Sequence, residues 1–108
     1  MLVPNHAIQS QVLTAAAVTY YTAPTATRVV VQNMTLCNTT AAAVVCTVYI
    51  IASGGTAGTA NTIISATSVA KDATYKCPEM VGKVLNAGDF IQAKGLNVVI
   101  DMSVLEVS

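Results

Sequence analysis

The sequence predicts an all-β chain: a single antiparallel β-sandwich, jelly-roll-like or immunoglobulin-like, of about seven to eight strands with an extended N-terminal arm. Three observations point there. β-branched residues cluster in short runs, and turn residues punctuate those runs at the spacing of a sandwich or barrel. Helical periodicity is scarce. The closing segment alternates strictly, with Val98, Ile100, Met102 and Val104 on one face and Val99, Asp101, Ser103, Leu105 and Val107 on the other.

The elements follow in order. Residues 1–10, with Pro4, read as the arm, and residues 11–108 as the sandwich domain. A first strand runs from Val12 to Thr22, where Pro24 stops it. A second covers Thr27 to Cys37, and Asn38-Thr39-Thr40 turns the chain. A third spans Ala43 to Ala52. Ser53 to Asn61, with Gly54, Gly55 and Gly58, reads as a flexible hairpin tip. A fourth strand covers Thr62 to Val69, and Lys71-Asp72 is a polar turn. Thr74 to Cys77 is a short strand that meets Pro78. Glu79 to Leu85 reads as an irregular or helical turn with Pro78 near its start. Asn86-Ala87-Gly88-Asp89 is a tight turn, Phe90 to Ala93 a further strand, Lys94-Gly95 a turn, and Leu96 to Val107 the last strand.

Charge is the unusual property. Five basic and five acidic residues are spread over 108 positions, where a soluble domain carries charge on roughly a quarter. Net charge is zero and the sequence pI is about 6.5, a balance that favours association. The third strand carries Val44, Cys46, Val48 and Ile50 on one side and Val45, Thr47, Tyr49 and Ile51 on the other. A sandwich strand needs one apolar face, so the second needs cover, and the expectation is a neighbouring molecule rather than a loop of the same chain. Scattered cations offer no stripe for nucleic-acid phosphates. No run reaches the length of a membrane span, and residues 1–10 lack the pattern of a secretory signal.

Chemistry is hard to find in the residues. The only histidine is His6, and catalysis would need a nucleophile beside a base that a third group orients. Cys37, Cys46 and Cys77 read as free, buried thiols; Cys37 and Cys46 flank one loop and could approach each other across the sheet. No Cys-x-x-Cys spacing suggests zinc, and no cofactor is expected. Asp89, after Gly88, reads as a carboxylate capping backbone N–H groups of its own turn. Asp101 reads as a salt-bridging residue, with an intersubunit pair to Arg28 or a lysine as the alternative. The Gly54–Gly58 stretch lacks the ending of a phosphate loop.

Tyr21-Thr22-Ala23-Pro24, Arg28-Val29-Val30-Val31, Leu36-Cys37-Asn38-Thr39 and the Val44–Ile51 strand, in that order, form a pattern. It continues in Thr74-Tyr75-Lys76-Cys77-Pro78-Glu79-Met80 and in Val84-Leu85-Asn86-Ala87-Gly88-Asp89-Phe90-Ile91-Gln92-Ala93. Over residues 20–107 it resembles small β-sandwich virion structural proteins of tailed bacteriophages. The resemblance implies a non-enzymatic particle protein. The role that suits it best is a capsid decoration or cement protein that binds the major capsid protein, forms a homo-oligomer, and resides in the virion after assembly in the host cytoplasm. A head–tail or tail component, or a carbohydrate- or receptor-recognition module, is the alternative. The residues expected to face partners are Val3, Pro4, His6 and Ile8 of the arm, with Tyr21, Val45, Tyr49, Ile51, Leu105 and Val107. Neither nucleic acid nor a membrane is an expected partner.

Overall fold

The alternation of the closing segment is realised in three dimensions: Val98, Ile100, Met102 and Val104 are all fully buried. The computed structural model describes residues 1–108. Its strands are β1 (Leu2–Val12), β2 (Val18–Thr22), β3 (Arg28–Cys37), β4 (Val44–Ile51), β5 (Thr62–Val69), β6 (Thr74–Tyr75), β7 (Val84–Leu85), β8 (Phe90–Lys94) and β9 (Val99–Val107). One sheet has the order β1-β9-β3-β6, with β7 also paired to β3; the other has the order β2-β8-β4-β5. Every pairing is antiparallel.

The connections separate the two sandwich types that the sequence leaves open. Consecutive strands cross between the sheets at β1–β2, β2–β3, β3–β4, β5–β6, β7–β8 and β8–β9, and β4–β5 is a hairpin within one sheet. The first strand lies beside the last. This wrapping is a jelly roll. The core sits between the sheets: Val29, Val31, Met34, Leu36, Ile100 and Met102 from one side face Cys46, Val48, Ile64 and Ile91 from the other. Each large aliphatic side chain fully buried there contributes about 1.5–3 kcal/mol.

Two expectations change. Residues 1–10 do not extend away as a separate arm. They belong to β1, which pairs with β9 from Leu2 opposite Val107 to Val12 opposite Val99. The sequence conceals this strand because two register shifts break its alternation, leaving Ile8 as its one buried residue. The first strand expected from Val12 therefore divides: β1 ends at Val12, residues 13–17 cross the sandwich, and β2 starts at Val18.

The second change concerns β4. The end of its outward side, at Tyr49 and Ile51, is covered by the chain itself, while Val45 stays more than half exposed. Ile51 is fully buried although it faces away from the core, and the turn after it lies so close that a β-carbon on Gly55 would sit 3.1 Å from Ile51 Cγ2. Within the largely exposed 53–61 segment, hydrogen bonds close the part from Thr56 to Asn61. Asn61 accepts from the Gly58 N–H (2.8 Å) and donates to the Thr56 carbonyl (2.7 Å), and a 3-10 turn forms over Thr59–Asn61.

Asn38 locks the corner between β3 and β4. Its amide donates to the carbonyls of Ala42 and Val69, both at 2.9 Å, and its Oδ1 accepts from the Thr40 N–H and hydroxyl. It is completely buried and ties the end of β5 to the turn, a buried polar group with all its bonds made.

Candidate interaction surfaces

The fold distributes the ten expected contact residues unevenly. Val3 and Pro4 are exposed on β1, and Val45 is exposed on the outward side of β4. Leu105 and Val107 are half-buried on the outer face of β9. Ile8 is buried in the core, Ile51 is fully buried, and Tyr49 retains 8% of its exposure. These three cannot meet a partner while the fold is intact. Their apolar character reflects packing inside one chain.

His6 and Tyr21 serve internal polar clusters. His6 Nε2 lies 2.7 Å from Asp101 Oδ1, and the Ser10 hydroxyl donates to Asp101 Oδ2 at 3.0 Å. Asp101 thus finds two hydrogen-bond partners within the chain, both on β1. Ser, His and Asp meet here, yet the carboxylate stands between the other two. A nucleophilic triad needs the imidazole in the middle, taking the hydroxyl proton, so this cluster tethers β1 to β9. Tyr21 donates to Glu106 Oε2 at 2.7 Å and Asn5 donates to the same oxygen at 3.2 Å. Burial, and then the Glu106 carboxylate, push the Tyr21 phenol well above its ordinary range.

Cys37 stands apart from the other two thiols. Cys37 is half-buried on the outer side of β3, whereas Cys46 faces the core from the opposite sheet. The first sheet lies between them, so the Cys37–Cys46 approach considered from sequence does not arise. Burial raises the Cys46 thiol, and burial with the nearby Glu79 and Cys46 pushes Cys77 up to about 12, which keeps both protonated and poorly nucleophilic at neutral pH.

The carboxylates show an order that the sequence hides. Asp89 accepts from the N–H groups of Asn86 (2.9 Å) and Ser53 (3.2 Å), capping its turn as expected. Glu79 accepts from the Tyr75 hydroxyl, at 2.5 Å for its nearer oxygen. With Asp101 and Glu106 engaged as above, Asp72 is the one acidic side chain with no internal donor. The cations behave in the opposite way. The His6–Asp101 contact is the only side-chain pair of salt-bridge geometry, charged only when the imidazole is protonated, so Arg28, Lys71, Lys76, Lys83 and Lys94 have no carboxylate partner.

Two surfaces follow from the topology. At one pole the loops 13–17, 38–43, 70–73 and 95–98 gather, and Lys71 and Asp72 are their only charged residues. Ala15, Ala16, Ala41, Ala42, Ala43 and Ala70 are exposed there. Val12, Val18, Val45 and Leu96 stand around this pole, with Val45 and Leu96 more than half exposed. Beside it, on the outer face of the second sheet, runs an open groove of about 390 Å³ lined by Ala15, Val44, Val45, Thr47, Ala66, Lys94, Gly95 and Leu96. At the far end a cavity of about 430 Å³ lies among Ala26, Thr27, Arg28, Asn86, Ala87 and Val107. Sequence reasoning missed Lys94 and Leu96, because only the fold brings residue 96 beside residues 15 and 45. The alanine triplets Ala15–Ala17 and Ala41–Ala43 were the available signal.

Comparison with protein-family models, with curated proteins and with solved structures finds no match.

Proposed function

We propose that this protein is a non-enzymatic structural subunit of a phage particle, a capsid decoration or cement protein that binds the major capsid protein. The observation that carries the reading is the pole whose loops hold only Lys71 and Asp72 as charges, with its rim of exposed Val12, Val18, Val45 and Leu96. Large exposed apolar patches on small domains mark association sites. Stabilisation of a shell needs only burial repeated over a lattice: a standard interface removes about 800 Å² per partner, against a total accessible surface of 5521 Å² for this chain. Jelly rolls recur among viral capsid domains, and the resemblance to small virion proteins points the same way; both are arguments by analogy of form.

The test is reconstitution. Purified protein is incubated with shells assembled from the major capsid protein of the phage that encodes it, and occupancy is imaged. The expected result is density at one repeated lattice position and a raised shell melting temperature. Bare shells at saturating protein refute the assignment.

A further inference from the structure

We propose that the groove on the outer face of the second sheet is a docking site for a partner protein segment that presents an apolar side chain next to a carboxylate. The proposal rests on the assembly role above and specifies which surface serves it and what chemistry it accepts. Val45 and Leu96 form the exposed apolar walls, and Ala15 and Ala66 narrow the groove. The floor is Thr47, whose hydroxyl oxygen accepts the Ala66 N–H at 3.2 Å. One polar group in the groove remains without a partner. Lys94 is half-buried on β8, directly opposite Thr47 of β4, and pairs with no carboxylate.

Charge decides the occupant. A second copy packed face to face through this groove would bring two Lys94 ammonium groups toward one another across the two-fold axis, and like charges brought together in an interface are costly. The chain has little to offer a neighbouring copy's lysine in any other orientation. Its carboxylates are engaged internally except Asp72. A different protein supplying both the apolar anchor and the anion satisfies Val45, Leu96 and Lys94 together. Its carboxylate would meet Lys94 in a partly desolvated setting, where the pair is worth more than on open surface.

The experiment uses the full chain, isotopically labelled, titrated with the capped peptides acetyl-Leu-Asp-Leu-amide and acetyl-Leu-Asn-Leu-amide and followed by amide NMR. Expected are saturable shifts confined to Val45, Thr47, Lys94, Leu96 and their neighbours. The Asp peptide should bind at least fivefold more tightly, and Lys94→Gln should reduce that preference to within twofold while leaving the spectrum folded. The variant Leu96→Asn should weaken both peptides alike. Shifts scattered over the surface, equal affinity for the two peptides, or an undiminished Asp preference in Lys94→Gln would overturn the proposal. So would groove resonances that move on dilution without peptide, which would identify a second copy as the occupant. Shell decoration unaffected by Lys94→Gln and Leu96→Asn would remove the groove from the interface and leave the structural role standing.

Discussion

Replacing Asn38 by alanine tests the claim that one polar side chain organises a whole pole of the sandwich. The substitution deletes two donated bonds, to the carbonyls of Ala42 and Val69, and two accepted ones, from the Thr40 N–H and hydroxyl. The Thr40 hydroxyl, with a single proton, can turn from Asn38 Oδ1 to the Ala42 carbonyl at 2.8 Å, and water reaches Thr40. The bond to Val69 is the buried one. An unsatisfied buried acceptor costs about 1–3 kcal/mol, and each remaining bond contributes about 0.5–1.5 kcal/mol net. Allowing for rehydration, the loss comes to about 2–4 kcal/mol. The unfolding entropy expected at this chain length converts each kcal/mol to roughly 4 °C, so Tm should fall by about 8–16 °C. Asn38→Asp is the control. It keeps the acceptor, loses both donors and buries a charge, so it should do at least as much damage. Calorimetry on the three proteins decides the matter. A Tm loss below about 4 °C for Asn38→Ala would mean that the corner is held by backbone geometry, and the reasoning would fail.

Two further predictions concern the core and its thiols. With a thiol reagent at pH 8, Cys37 should react first, since Cys46 and Cys77 are buried and held protonated; Cys37→Ala should abolish the fast phase, and fast labelling of two thiols in the folded protein would contradict the structure. Gly95→Ala should destabilise by about 1–3 kcal/mol through overpacking, because the new methyl would lie 2.6 Å from Cys46 Sγ. Cys46→Ala should recover much of that loss in the double variant, read as a coupling energy in urea melts.

The fold was legible wherever alternation met a clean turn. β5 matches its expected bounds, Thr62 to Val69, and β3, β4, β8 and β9 differ from theirs only at the ends. The Asp89 cap was readable because a Gly-Asp turn has few other uses for a carboxylate. β1 was not readable. Its bulges put His6 and Ser10 toward Asp101 and leave Ile8 alone in the core, so no period of two survives along the strand. The cover over Ile51 was also hidden, because a chain of small residues such as 52–58 carries no mark of what it will lie against. The candidate surface was legible only in outline. Low charge raised the expectation of association, but the groove joins residues 15, 45, 66, 94 and 96, and that juxtaposition belongs to the topology.

Low charge raises a second question, which is why such a chain would not simply add strands edge to edge. Natural sheets protect their edges with charged residues, bulges or short strands. Here β2 and β5 contain no charged side chain, and β1 contains only His6. Each instead carries register shifts against its neighbour, and two of them hold a non-glycine residue at positive φ, Ser10 (49°) and Ala66 (45°). Bulges bend an edge and break its row of free donors and acceptors. The remaining edge consists of β6 and β7, two residues each. All the margins are therefore blunted without ionised groups. Under the proposed role, association would be directed away from the edges and onto the faces, where β4 and β8 are already paired on both sides and only side chains can make the contact. That is the setting in which Val45, Lys94 and Leu96 can select a partner by shape and charge, rather than accept any extended strand.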